Sequence, residues 1–253
     1  MSWKADARAW AVAALLLAGC APAHADPNAL WTIVHTQCAP DEAAKADPAP
    51  CLAVDAAGGY AVLKDRRGVT QVLVIPTARL TGIESPELLA PNTPNYWDDA
   101  WRARRFVEKF AGRSVPREDL ALAVNSIDGR SQNQLHIHVD CLDSAVRDAL
   151  HGALSRIGDR WSPLDIDLAG HRYEAMRLAG ADLGDRDPFR LLAREPAAQA
   201  NMGLETLVVV GVKFDDGAPG FVLLADHADP PSGDIGNGES LMDHDCKALK
   251  PAP

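Results

Sequence analysis

Basic residues are in short supply: 25 Lys and Arg stand against 35 Asp and Glu, a formal net charge of −10 over 253 residues. A field of that sign repels phosphate backbones and anionic bilayer surfaces. It excludes a nucleic-acid binder that relies on bulk electrostatics, and it requires any phosphate site to be local. There is no glycine-rich loop of the Walker or dinucleotide type, which removes those routes to nucleotide binding. No internal repeat of fixed period is present, and no apolar run reaches the roughly 20 residues that span a bilayer stably. What is left, 47% hydrophobic, is the composition of one ordinary globular domain with a full core of its own.

The N-terminus reads as a leader, residues 1–25, with the domain running over 26–253. Lys4 and Arg8 supply a positive start, residues 11–17 a short apolar run, and small residues follow. Leu17-Ala18-Gly19-Cys20 resembles the lipobox of bacterial lipoproteins, where cleavage before the cysteine leaves it carrying acyl chains. Ala23-His24-Ala25 offers ordinary signal peptidase a competing site and a soluble product beginning at Asp26. The lipobox, matched at four adjacent positions, is the favoured reading and predicts a membrane-anchored protein of the cell envelope facing the periplasm.

Setting Cys20 aside leaves Cys38, Cys51, Cys141 and Cys246, an even number in a chain read as exported. Three pairings are possible. Cys38 and Cys51 bracket a stretch rich in Pro, Ala and Asp with little else to hold it, so they are expected to pair. Cys141 with Cys246 follows and fixes the C-terminal tail beside the strand described below. Four free thiols are the alternative, poorly suited to an oxidising compartment.

Apolar or alternating runs predict strands over 60–64, 71–75, 120–125, 135–141, 206–214 and 220–225, the first two and the last two forming hairpins. Val146, Ala149, Leu150, Ala153, Leu154 and Ile157 fall at helical spacing after Asp143 or Ser144 as cap. A second stripe, Ala103, Phe106, Val107 and Phe110, stops at Gly112. Residues 226–240, rich in Gly, Pro and Asp, read as a surface loop. The fold class is α+β: an antiparallel sheet with packed helices.

One strand carries chemistry. In Gln134-Leu135-His136-Ile137-His138-Val139 the side chains alternate, so Gln134, His136 and His138 share one face and three apolar residues anchor the other. If the preceding strand pairs with it, Asn125 lies near His136. The loop between them, residues 126–133, contains Gly129, Arg130 and Ser131: room for close backbone approach and two donors for an oxyanion. Three readings compete. Two strand histidines without a role are the blandest. A metal site needs a third ligand, and Asp140 is assigned to the apolar face. Nucleophilic catalysis uses the imidazole against phosphorus, giving a phosphoramidate labile enough to turn over.

Gly129-x-Ser131 followed by Gln134-x-His136-x-His138 resembles the signature of the histidine-triad superfamily of nucleotidyl hydrolases and transferases. Within it the sequence is most similar to the bacterial CDP-diacylglycerol pyrophosphatase branch, which tolerates Gln134 where most members carry a first histidine. Residues 47–51, 82–86, 122–126 and 155–163 support the likeness. The resemblance implies His136 as nucleophile and His138 as donor to the phosphate oxygens. It implies that Gln134 holds a phosphoryl oxygen or orients the leaving group, with Asn125 and Ser131 as supporting donors; Arg130, from its place in the loop, is read as a further substrate-binding donor. Lys64 stands near a position where the family carries an early-strand histidine and is expected to bind substrate in its place. The implied reaction is cleavage of CDP-diacylglycerol to CMP and phosphatidate without a cofactor or metal. A lipoprotein that binds a nucleotide or lipid headgroup without turnover is the rival from another class.

Of the remaining histidines, His35, His151, His171, His227 and His244 are read as structural or exposed, His171 being the likeliest exception. Trp97 and Trp101 are read as core rather than an acyl groove. Arg66 and Arg67 are read as a solvated turn, and Arg79 as a third candidate source of positive charge.

Overall fold

The computed structural model describes residues 26–249; the predicted leader, Cys20 included, lies outside them. One antiparallel sheet organises these residues, with strands β1 (Ala53–Asp55), β2 (Tyr60–Lys64), β3 (Val72–Pro76), β4 (Leu120–Val124), β5 (Ile137–Leu142), β6 (Ser162–Leu168), β7 (His171–Ala179), β8 (Glu205–Lys213), β9 (Pro219–His227) and β10 (Met242–Asp243). Their spatial order is β1-β2-β3-β5-β4-β8-β9-β7-β6. Short β10 pairs with the end of β5, where β3 has already stopped. Both predicted hairpins, β2–β3 and β8–β9, are present, as is the β4–β5 pair.

The helices divide the sheet into two faces. Helix α3 (Tyr96–Ala111), started by the Asn95 cap and ended by left-handed Gly112, buries Trp97, Trp101 and Val107 against Leu122, Ile137 and Val139. This makes both tryptophans core residues, as read from the sequence. The opposite face carries two smaller cores. At one, the N-terminal stretch α1 (Ala29–Ile33), a single π-helical turn (Val34–Cys38) and α2 (Ala39–Lys45) sets Leu30, Val34 and Cys38 against Leu73 and Ile75. At the other, α4 (Ser144–Ala153), capped by Asp143 on the Ala145 and Val146 N–H groups, sets Val146 and Leu150 against Ala121, Ala123, Val208 and Val210. Short helices α5 (Pro188–Leu192) and α6 (Pro196–Asn201) complete the set; like α1, α2, β1, β6, β7 and β10, they are elements that the sequence reading did not foresee.

Disulfides join Cys38 to Cys51 and Cys141 to Cys246, the expected pairing. The first ties the π-helical turn to the segment just before β1; the second ties the C-terminal tail to β5. Among the described residues no helix is long and apolar enough to cross a membrane.

Candidate active site

His138 lies opposite Leu73 on one side and Ala123 on the other. Residues directly opposite share a face, so the histidine face of β5 looks into the gap between the two smaller cores. The two histidines meet edge to face, ring centroids 4.8 Å apart. His136, immediately before β5, is 8% exposed and His138 is 4% exposed. The blandest of the three readings, two exposed strand histidines without a role, does not fit rings this buried.

His136 Nδ1 lies 2.7 Å from the Gln134 carbonyl oxygen. A carbonyl only accepts, so Nδ1 carries the ring proton and Nε2 carries the lone pair. Burial holds the ring below its ordinary pKa, the neutral form in which that lone pair is free. The backbone hydrogen bond and the Glu239 charge pull the other way without prevailing. His138 is pushed down by burial as well, to about 3, although Glu239 opposes it.

Around His138 the polar groups are crowded. Gln71 Nε2 lies 2.6 Å from His138 Nδ1, 2.9 Å from Glu239 Oε1 and 3.0 Å from Asp65 Oδ2. Two amide hydrogens face three acceptors. Nδ1 also lies 3.0 Å from Glu239 Oε1, but the 2.6 Å Gln71 contact is the shorter and makes Nδ1 an acceptor, which puts the His138 proton on Nε2. That atom is buried and has no hydrogen-bond partner. An unpartnered buried N–H costs free energy unless an acceptor arrives, and an oxyanion is such an acceptor. Asp65, His138 and Glu239 each place a ligand atom within 4.8 Å of the others, a donor set that could take a cation. The Gln71 amide nitrogen holds that position by donating to the same atoms.

Glu239 is the residue that sequence reasoning missed. It sits in the stretch read as a surface loop, yet it is buried, and burial alone would favour its neutral form. The Gln71 and Asn125 amides, donating to it, and the Arg67 charge hold its carboxylate below the ordinary range. Asn125 anchors the loop twice, accepting from the Gly238 N–H at 2.9 Å and donating to Glu239 Oε2 at 3.1 Å. Gly238 is required there: a Cβ would come within 2.8 Å of Val208 and 3.2 Å of Ala123. Only that close approach lets Glu239 reach His138.

Other expected site residues have different partners. Asn125 braces Glu239 rather than facing a ligand directly. Gln134 donates to the Pro76 and Ala78 carbonyls at 2.9 and 2.8 Å, so its amide hydrogens are not open to a phosphoryl oxygen and its unpartnered Oε1 is an acceptor. Arg130 forms a two-pronged ion pair with Glu84, both contacts 2.6 Å, and is neutralised by it. This accounts for the 82–86 stretch: Gly82 lies against the guanidinium, where a Cβ would clash. Lys64 turns back to the Asp65 and Gly68 carbonyls and closes its own turn. Ser131 is exposed on its loop. Arg67 is exposed as expected, but its guanidinium reaches within 3.6 Å of Glu239.

Asp140 corrects another expectation. With an even residue number it shares the face of His136 and His138, and it accepts from Thr70 Oγ1 at 2.6 Å while holding His244 Nδ1 at 2.8 Å. That hydrogen bond raises the His244 pKa against the pull of burial. His171 and His227 likewise have carboxylate partners, Asp234 and Glu205. Three histidines read as unpartnered are thus paired, each across a long sequence separation.

The sequence profile of the family described as CDP-diacylglycerol pyrophosphatase matches residues 25–250. A curated protein named CDP-diacylglycerol pyrophosphatase, from Yersinia pestis, is 41% identical over 227 residues, covering 89% of this chain and 86% of its own length. Among solved structures, a DUF4931 family protein from Bacillus cereus matches with a TM-score of 0.42 and 11% identity, covering 70% of this chain and 84% of that one.

Proposed function

The chain belongs to the CDP-diacylglycerol pyrophosphatase family, and from that membership we propose how it splits CDP-diacylglycerol into CMP and phosphatidate: by covalent catalysis at His136. The observation that carries the covalent step is the Nδ1–H to Gln134 carbonyl bond, which presents Nε2 as a neutral nucleophile. Nε2 attacks one phosphorus in line. An N–P bond forms, the bridging P–O bond breaks, and the other phosphate half leaves with the bond electrons. Water then attacks the same phosphorus, the N–P bond breaks, the electron pair returns to Nε2, and the proton of the water passes to solvent.

His138 donates through Nε2 to a non-bridging oxygen as negative charge gathers there, an interaction with no competitor inside the protein. Gln71, by donating to Nδ1, fixes which nitrogen of His138 holds the proton, Glu239 holds the Gln71 amide, and Asn125 fixes Glu239. Gln134 supplies the carbonyl that orients His136, while its side chain ties the histidine strand to the end of β3. Acylation at Cys20 would hold the enzyme at the envelope membrane, facing the periplasm, where a diacyl substrate resides.

The test is CMP release from CDP-diacylglycerol with chelator present. The parent chain is expected to turn over and His136→Ala to fall to background. Loss of parent activity on chelation, with recovery on adding zinc, would instead favour a cation at Asp65, His138 and Glu239.

A further inference from the structure

Asp26, the first described residue, is fastened to the loop that leads into the nucleophile. Gln132 is the fastener: its Nε2 donates to the Asp26 carbonyl at 2.9 Å and its Oε1 accepts from the Leu30 N–H at 3.0 Å. The Asn133 N–H adds a bond to the Pro27 carbonyl at 2.7 Å. Six residue steps separate Cys20 from Asp26, and a fully extended chain covers about 3.5 Å per step. Cys20 can therefore lie no farther than roughly 21 Å from Asp26, which is itself bonded to Gln132 of that loop.

The same end of the sheet carries unusual surface. Among the described residues only four large hydrophobic side chains are exposed, and two of them are Ile127 (48%) and Ile235 (43%). They stand on neighbouring loops: Ser126 Oγ donates to the Ile235 carbonyl at 2.6 Å, and the Ser126 N–H donates to the Gly236 carbonyl. Gly129 packs so closely on this second loop that a Cβ would lie 2.4 Å from the Gly236 oxygen. Both loops border the histidine face, one entering it through His136 and the other through Glu239. The turn joining β8 to β9 is the opposite pole. Ile127 is bonded to Gly203 just before β8, and the nine residues of that strand, at about 3.3 Å each, carry its far end roughly 30 Å away.

We infer that the paired loops tipped by Ile127 and Ile235 form a membrane-docking surface, which seats the histidine site on the bilayer held by the N-terminal anchor. Two isolated isoleucines on a soluble surface would need no explanation. Their place beside the nucleophile, at the pole where the anchor enters, matches a substrate whose pyrophosphate lies at the interface with its acyl chains below. Docking by apolar tips also suits a chain whose acidic charge gives it no electrostatic attraction to anionic lipid. This inference rests on the proposed anchor and substrate.

The experiment uses the full-length chain reconstituted in phosphatidylcholine vesicles without nucleotide, compared with the Ile127→Ser/Ile235→Ser double variant in the same vesicles. Amide hydrogen exchange over 126–133 and 233–238 is expected to be at least tenfold slower in the parent, with no difference at 214–218. Catalysis gives the second readout. The variant should hydrolyse water-soluble short-chain CDP-diacylglycerol within twofold of the parent and lose at least tenfold on long-chain substrate in vesicles. Equal exchange in both proteins, or equal rates on both substrates, would overturn the inference. A parent chain inactive on either substrate would refute the proposed activity, while the exchange pattern would still decide the docking.

Discussion

At the scale of single residues, the site separates groups that react from groups that hold them. His138→Ala removes one oxyanion donor and is expected to lower kcat about a hundredfold to a thousandfold with a smaller change in KM, measured by CMP release. Glu239→Gln keeps the shape but replaces the carboxylate that accepts from Gln71, the donor to His138 Nδ1, and from Asn125. Its rate is expected to fall roughly tenfold, and a rate equal to that of the parent would remove Glu239 from the account. The pH profile tests His136. Its active form is neutral, and burial lowers its pKa from the ordinary 6.5, so protonation competes only below that value. The rate on short-chain substrate should stay level from pH 7.5 down to 6.5 and decline below it; an acid limb above pH 7 would contradict the assignment. The residues legible from the sequence were those on the strand itself, because a period of two sorts His136 and His138 without any knowledge of the fold. Asp140 obeys the same period, and was misassigned against it. Glu239, Gln71 and His244 were not legible: their partners are 67 to 168 residues away in sequence, and no local pattern marks a carboxylate that a distant loop will bury.

At the scale of elements, the apolar stripes of α3 and α4 and the strands of the central sheet announced themselves by periodicity, and their caps stand where Asp143 and Gly112 placed them. Strands β6 and β7 did not. Pro163 and the aspartates of β6 are poor strand formers tolerated at the sheet edge, and β7 breaks its alternation where Ala175 and Met176 are both buried. Leu30, Val34 and Cys38, four residues apart, were a helical signal hidden by Pro40. The C-terminal segment illustrates a division of labour. The Cys141–Cys246 disulfide closes a loop with a sequence separation of 105 and holds β10, with His244 behind it, against β5 and the β2–β3 turn. Replacing both cysteines by serine should cost about 3–5 kcal/mol in a urea titration, more than the same change at Cys38 and Cys51, whose loop is shorter. Equal losses at the two pairs would argue against the loop-entropy account.

At the scale of the molecule, a strongly acidic protein handles a phosphate-rich substrate with little free positive charge near the site. Arg130 is neutralised by Glu84, Lys64 is folded onto its own turn, and among the described residues only Arg67 approaches Glu239 from the exposed side. The field that steers nucleic acid away is thereby kept, and on the proposed mechanism recognition falls to neutral N–H donors. Mass spectrometry of the membrane fraction is expected to find a mature N-terminus at acylated Cys20; a terminus at Asp26 would remove the anchor. The central claim, however, is the bond between phosphorus and His136. Rapid quench into denaturing base, with substrate labelled at each phosphorus in turn, tests it most directly. A base-stable, acid-labile phosphorus adduct mapping to the peptide that contains His136, and absent from His136→Ala, is the result predicted. Turnover with no adduct from either label, or full activity in His136→Ala, would contradict it.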